Sequence, residues 1–305
     1  MSVVDHPVRR RGGATEPANA ASTTEIEIAS AAAAARTPDV RRFLSLQIVA
    51  PTVFLVLALT CWQLASMYLL DPKRKFLLPS PVEVVTDAFA SRIIQEDLLT
   101  ATKNTVLVAF IGFAIGALLA IGIAILMNLA TWVEATIYPY AVMVQTIPIL
   151  ALVPLIGFWI GFNFTSRVLV CVIITFFPIV TATLFGLKSA EPLLHDLVTI
   201  GGGSRWQRLI KLELPASLPA MFSGFRISAG GCVIGAIVAD YFFRSGDPGL
   251  GRLLTTYLNN LQSAALFAAV IVSIVLGIIV FWIVGWAEKR VIGKWSRTTV
   301  GAGRG

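Results

Sequence analysis

Acid–base and metal chemistry have little to work with in this chain. It contains two histidines and three cysteines. His6 lies near the start and His195 in the interior, and neither has a cysteine or carboxylate cluster beside it that could build a metal centre or a hydrolytic constellation. Cys61, Cys171 and Cys232 all fall within apolar runs without ligand or pairing spacing, so they read as small buried hydrophobes. The phosphate-cradling pattern G-x-x-x-x-G-K-[ST] is missing as well. Gly293-Lys294 continues into Trp295, and Gly186-Leu187-Lys188-Ser189 has the wrong order, so the chain has no P-loop of its own for ATP. Charge is scarce: 13% of the 305 residues are charged and 56% are hydrophobic. At a mean hydropathy of +0.81, that is more apolar surface than a soluble domain of this length can bury, so the chain's solvent is lipid. A net charge of +7 would suggest nucleic acid if it formed one patch. The basic residues instead lie in the tails and between apolar runs, which excludes nucleic acid and marks a bilayer protein.

Residues 1–44 read as a mobile tail, with Arg9, Arg10 and Arg11 followed by Gly-Gly-Ala-Thr-Glu-Pro rather than the apolar core of a secretory signal. A membrane domain over 45–292 follows, then a basic tail over 293–305. Six stretches reach the ~20 residues a spanning helix needs: 45–70, 105–129, 135–160, 167–187, 216–242 and 263–287. Between the first two, Ser80-Pro81 opens a short amphipathic segment at the membrane interface. Gly112, Gly116 and Gly122 predict close helix contacts in the second span. The third carries Pro139, Pro148 and Pro154, and proline-broken helices at membrane depth are tolerated where they line a path. Gln145, Pro148 and Pro154 are therefore candidates for the pathway.

The stretch 196–215, DLVTIGGGSRWQRLIKLELP, interrupts this pattern. Leu193, Leu194, Leu197, Val198 and Ile200 share one helical face, with His195, Asp196 and Thr199 more nearly opposite. Gly201, Gly202 and Gly203 end that helix, since residues without Cβ can turn the backbone through positive φ. Ser204 and Gln207 stand at capping-box spacing for a second short helix. It places Trp206, Leu209 and Ile210 on one side and Arg205, Arg208 and Lys211 around the rest, and is predicted to stop at Leu214-Pro215.

This spacing resembles the cytoplasmic EAA loop (here 189–215) of ABC importer permeases: Glu-Ala-Ala, three residues, Gly, nine residues, an aliphatic, one residue, Leu-Pro. Asp196, Leu197 and Val198 occupy the Glu-Ala-Ala positions and Gly202 the glycine, with Leu212, Leu214 and Pro215 at the expected distances. Asp for Glu and the bulkier Leu-Val for Ala-Ala are departures. The run Ile147-Pro148, Ala151-Leu152, Pro154-Leu155 is also similar to a helix of the nitrate, sulfonate and taurine branch. The resemblance implies an all-α membrane protein, a six-helix type I importer permease with a cytoplasmic coupling-helix loop. Asp196, Leu197, Val198, Gly202, Ser204, Arg205 and Trp206 would dock an ATPase subunit. It also implies a second permease copy, two ATP-binding cassette subunits that hold ATP and Mg, and an extracytoplasmic solute-binding protein that selects the solute.

Few ionisable residues lie within the spans, which argues against the alternative of an ion-coupled secondary transporter, since such carriers place carboxylates or histidines on their ion path. Arg226 and Asp240 are the nearest candidates. Arg226, two turns after Pro219, is expected to snorkel to the cytoplasmic interface. Asp240 has two readings: an interfacial residue paired with Arg244, or an outer gate, because family members carry an acidic residue shortly before a Gly-Leu-Gly like Gly249-Leu250-Gly251. Six spans put both termini on one side. The distribution of Lys and Arg makes that side the cytoplasm, against Lys73, Arg74 and Lys75, which would fall outside.

Overall fold

Backbone polar groups in lipid must be satisfied within the chain, and helices do so along their own length. The computed structural model of the protein describes residues 40–69, 77–243 and 245–293, with side chains from 49 onward, and among the described residues every regular element is helical. The expectations for residues 1–39, for Lys73 to Lys75, for Arg244 and for 294–305 fall outside the described residues, whereas 40–44, read as part of the tail, belong to a helix.

Contacts divide the chain after Trp62. The first unit holds most of α1 (Val40–Tyr68), which contains Pro51 and whose apolar side chains, such as Phe54 and Leu57, are exposed. All later elements belong to the second unit. There, α2 is a turn at Pro81–Glu83 that widens into a π-helix at Val84–Phe89. Its start is fixed by a capping box in which the Ser80 amide donates to Glu83 Oε2 (2.8 Å) and the Glu83 amide to Ser80 Oγ (3.2 Å). The segment buries Val84 and Ala88 and lies against the last helix.

α3 (Arg92–Leu129) is 38 residues long, so the second span begins a dozen residues before the apolar run does. α4 (Thr131–Thr146) and α5 (Ile149–Ile160) replace the single third span expected from the sequence, and they meet at a bend of 101°. The cause is Pro148. The residue before a proline is pushed out of the α region, and Ile147 takes φ −70°, ψ 124°. At about 24 and 18 Å by helical rise, neither piece alone crosses a ~30 Å hydrocarbon core. The described residues therefore contain five helices long and apolar enough to span, and a sixth span if the bent pair counts as one.

α6 (Phe164–Leu187) is the centre of the bundle, packed between α3 and α9 (Leu214–Phe242). Small residues make these contacts possible. A Cβ added at Gly112 would lie 2.2 Å from Cys171 Cβ, at Gly116 3.0 Å from Thr175 Cβ, and at Gly224 2.7 Å from Ala182 Cβ. Gly122, predicted to do the same, has nothing within 4 Å of a would-be Cβ among the described residues. α7 (Pro192–Ile200) and α8 (Arg205–Arg208) form the polar interruption, and α11 (Ser263–Ile292) closes the chain.

Two further features depart from the sequence reading. α8 does not stop at Leu214-Pro215: it passes through a π-helical turn, Leu209–Glu213, directly into α9. Pro215 falls where the π-helical turn gives way to α9. In addition, α10 (Leu250–Asn259) is a helix that buries Leu250, Gly251, Leu253 and Tyr257, where the sequence suggested only a loop.

Candidate functional site: the hinged loop and the far end of its helix

The turn between α7 and α8 is a Schellman motif. The Gly202 amide donates to Thr199 O (3.1 Å) and the Gly203 amide to Val198 O (2.9 Å), capping the last carbonyls of α7. Only Gly202 of the three glycines takes positive φ, +72°, with nothing within 4 Å of a would-be Cβ. Gly203 is needed for space instead, since a Cβ there would sit 2.6 Å from Val198 Cγ1 and 2.8 Å from Val198 O. The capping box forms as the spacing predicts: the Ser204 amide donates to Gln207 Oε1 (2.9 Å) and the Gln207 amide to Ser204 Oγ (3.2 Å). The backbone path of the loop is thus specified residue by residue.

Exposure shows which side of α7 faces the bundle. His195 and Val198, three residues apart, turn inward and are half-buried. Leu193, Leu197 and Ile200 of α7 are exposed at 68%, 57% and 85%, together with Trp206 (61%) and Ile210 (59%). These five apolar side chains stand exposed on the polar stretch between α6 and α9. Among the docking candidates, Asp196, Leu197, Gly202, Arg205 and Trp206 stand exposed together, whereas Val198 packs inside the turn and Ser204 caps α8.

The inward side holds a buried carboxylate. Glu213, 4% exposed, accepts from Asn128 Nδ2 at the end of α3 (2.6 Å) and from Arg208 Nε (3.0 Å), and His195 Nδ1 lies 3.7 Å from it. Leu209, also buried, packs with Met127 of α3 and with Leu184 and Leu187 of α6. Beside them Lys188 bridges both carboxylate oxygens of Glu134 at 2.6 and 2.7 Å, joining the end of α6 to the start of α4.

The opposite ends of α6 and α9 hold the second charged group, roughly 30 Å along α6 by helical rise. Asp240 is buried rather than interfacial, and its partner is Arg167: the guanidinium donates to Asp240 Oδ1 (2.8 Å), Asp247 O (2.9 Å) and Ser245 O (2.6 Å). The other carboxylate oxygen accepts from the Arg252 amide (2.7 Å), and the Leu250 amide donates to Thr105 Oγ1 (2.9 Å). Gly249 and Gly251 permit this closure, since a Cβ on Gly251 would lie 2.0 Å from Ile237 O. The acidic residue and its Gly-Leu-Gly thus form a clasp over the helix end, and Arg167 was missed because it stands at the edge of an apolar run. Arg226 is also paired, with Glu288 of α11, and lies 5.1 Å from the centre of the Phe281 ring.

Of the pathway candidates, Gln145 borders a groove of about 490 Å³ with Phe177, Thr181, Phe185, Ser223 and Ile227, whose lining carries no charge. Pro148 makes the α4–α5 bend and Pro154 lies exposed within α5. Neither borders this groove.

Comparison with known proteins agrees with this arrangement. Residues 83–293 match the family described as the binding-protein-dependent transport system inner membrane component. The formylaminopyrimidine transport permease protein of Halalkalibacterium halodurans is 32% identical over 238 residues, covering 78% of this chain and 92% of that one. The riboflavin transport system permease protein of Chloroflexus aurantiacus is 30% identical over 244 residues (80% and 89%). The taurine transport system permease protein of Escherichia coli is 28% identical over 183 residues (57% and 64%). Loop, bundle and matched span together place the chain in the inner-membrane component family of binding-protein-dependent transport systems, as a multi-pass permease subunit of an ATP-binding-cassette transporter.

Proposed function

We propose that the chain forms the passage of an importer for a small polar solute, paired with a second copy of itself and driven by two ATP-binding cassette subunits. An extracytoplasmic binding protein would select the solute, from the range spanned by sulfonates such as taurine, nitrate, bicarbonate and pyrimidine precursors. The observation that carries this reading is the uncovered apolar face of Leu193, Leu197, Ile200, Trp206 and Ile210 on a loop whose hinge is tightly specified. A rigid, two-helix apolar knob outside the bundle suits a groove on a partner better than it suits water.

In this reading the loop and both termini are cytoplasmic, ATP and Mg reside on the partner, and closure of the ATPase pair displaces the knob. Nucleotide then favours one permease conformation through its partner, and that difference in affinity is what moves the equilibrium. The uncharged groove beside Gln145 fits a passage that releases solute readily. An ion-coupled carrier is disfavoured by the family, and the buried charges add to that: Asp240 is closed within a clasp and Arg226 is paired. The test is uptake with Gly202→Trp, at the single positive-φ position of the hinge. Uptake is expected to fall to background. Uptake at the unsubstituted level would sink the docking assignment.

A further inference from the structure

Glu213 has no part in the docking reading, although it stands between Leu212 and Leu214 of the loop's closing motif. Among the described residues it is one of two buried carboxylates, Asp240 being the other. A buried carboxylate is costly unless paired and fully hydrogen-bonded, so its partners show what the position is for. They come from three elements: Arg208 from α8 at 3.0 Å, His195 from α7 at 3.7 Å, and Asn128 from the end of α3 at 2.6 Å. One side chain therefore joins both halves of the loop to a span into which the loop does not continue.

We propose that Glu213 is the positioning residue that sets the angle of the two-helix loop against α3, so that displacement of the loop moves α3 as well as α9. The proposal rests on the reading of the loop as the ATPase dock. Without this carboxylate the loop would hold to α3 through the apolar cluster that contains both Leu209 and Met127. Such a contact fixes a distance but leaves orientation loose. A carboxylate that receives directional donors from a guanidinium and an amide fixes orientation as well. Its partners are distributed as a strut requires, and a residue serving only the loop's own fold would have no need of Asn128.

The experiment uses the full chain with its ATPase subunits and binding protein in lipid vesicles, and measures ATP consumed per solute imported. Glu213→Gln and Arg208→Gln are each expected to raise that ratio at least about fivefold, the lower end of typical coupling between sites, while the ATPase subunits still co-purify. The double variant is expected to be no worse than the worse single variant, because both break one contact. An unchanged ratio in Glu213→Gln overturns the proposal, as does a double variant whose effect is the product of the two. If Glu213→Gln fails to assemble, Arg208→Gln decides the matter, since Arg208 reaches the same carboxylate from a partly exposed position, and an unchanged ratio there overturns the proposal. If the unsubstituted chain does not retain an ATPase subunit, the docking reading itself falls and takes the proposal with it. A retained ATPase with an unmoved ratio overturns the proposal alone.

Discussion

Truncating either member of the Arg167–Asp240 pair would strand a charge among residues that exclude water, both side chains being 3% exposed. Arg167→Met or Asp240→Leu alone should lower stability by about 3–5 kcal/mol. The double replacement should cost less than either, as thermal unfolding in detergent would show, and a double cost equal to the sum of the two singles would mean that the two residues do not act as a pair. Tyr257 offers a pH-dependent counterpart at the same end of the bundle. Burial, and then the Asp97 carboxylate 3.5 Å from its hydroxyl, push its pKa up to about 12. The proton is held more tightly in the folded state, so the stabilisation is complete below the ordinary tyrosine value of about 10. It is lost as pH rises from there through about 12. Tyr257→Phe should flatten that part of the stability profile, and an unaltered profile would exclude Tyr257 as its source. The sequence shows neither arrangement, because Arg167 and Asp240 are 73 positions apart and Tyr257 and Asp97 160 apart. Periodicity reports which side of a helix is apolar, and says nothing of which distant charge it will meet.

At the scale of elements, what could be read was what local chemistry decides. Ser204 three residues before Gln207 gives a cap in any context, three glycines end a helix, and Pro148 breaks one. What could not be read was decided by neighbours. α10 carries no span-length apolar run, yet it packs closely: Gly251 admits the backbone of α9, and Gly249 admits the Thr105 and Asp240 side chains. Which side of α7 faces the bundle is such a case: His195 lies beside the buried Glu213, and the leucines stand outside. This exposure yields a prediction about assembly. Trp206→Ala removes the largest exposed anchor of the knob and should weaken ATPase association by about 2 kcal/mol, roughly thirtyfold in affinity. Thermal stability of the permease should be nearly unchanged, because the side chain is 61% exposed. Equal affinity measured in detergent would move the dock elsewhere.

For the molecule as a whole, length and hydropathy already implied a helical bundle in lipid, and the number of spans came out at five plus a bent pair. Only the break at Pro148 separates that count from six. Orientation has a direct test. With Cys61 replaced by Ser, and with Cys171 and Cys232 buried, Asp196→Cys is an exposed thiol on the loop. A membrane-impermeant maleimide should label it in inverted vesicles and leave it unmodified in intact cells. Labelling from outside would reverse the topology and remove the loop from the compartment that holds ATP.

Because α8 runs through Leu209–Glu213 into α9 without an intervening coil, the knob is the near end of a shaft of 38 residues, about 57 Å long. Its far end carries Asp240. One continuous helix is thus held near its start by Glu213 through Asn128 of α3 and at its far end by Asp240 through Arg167 of α6, a rod moored at both ends by charge.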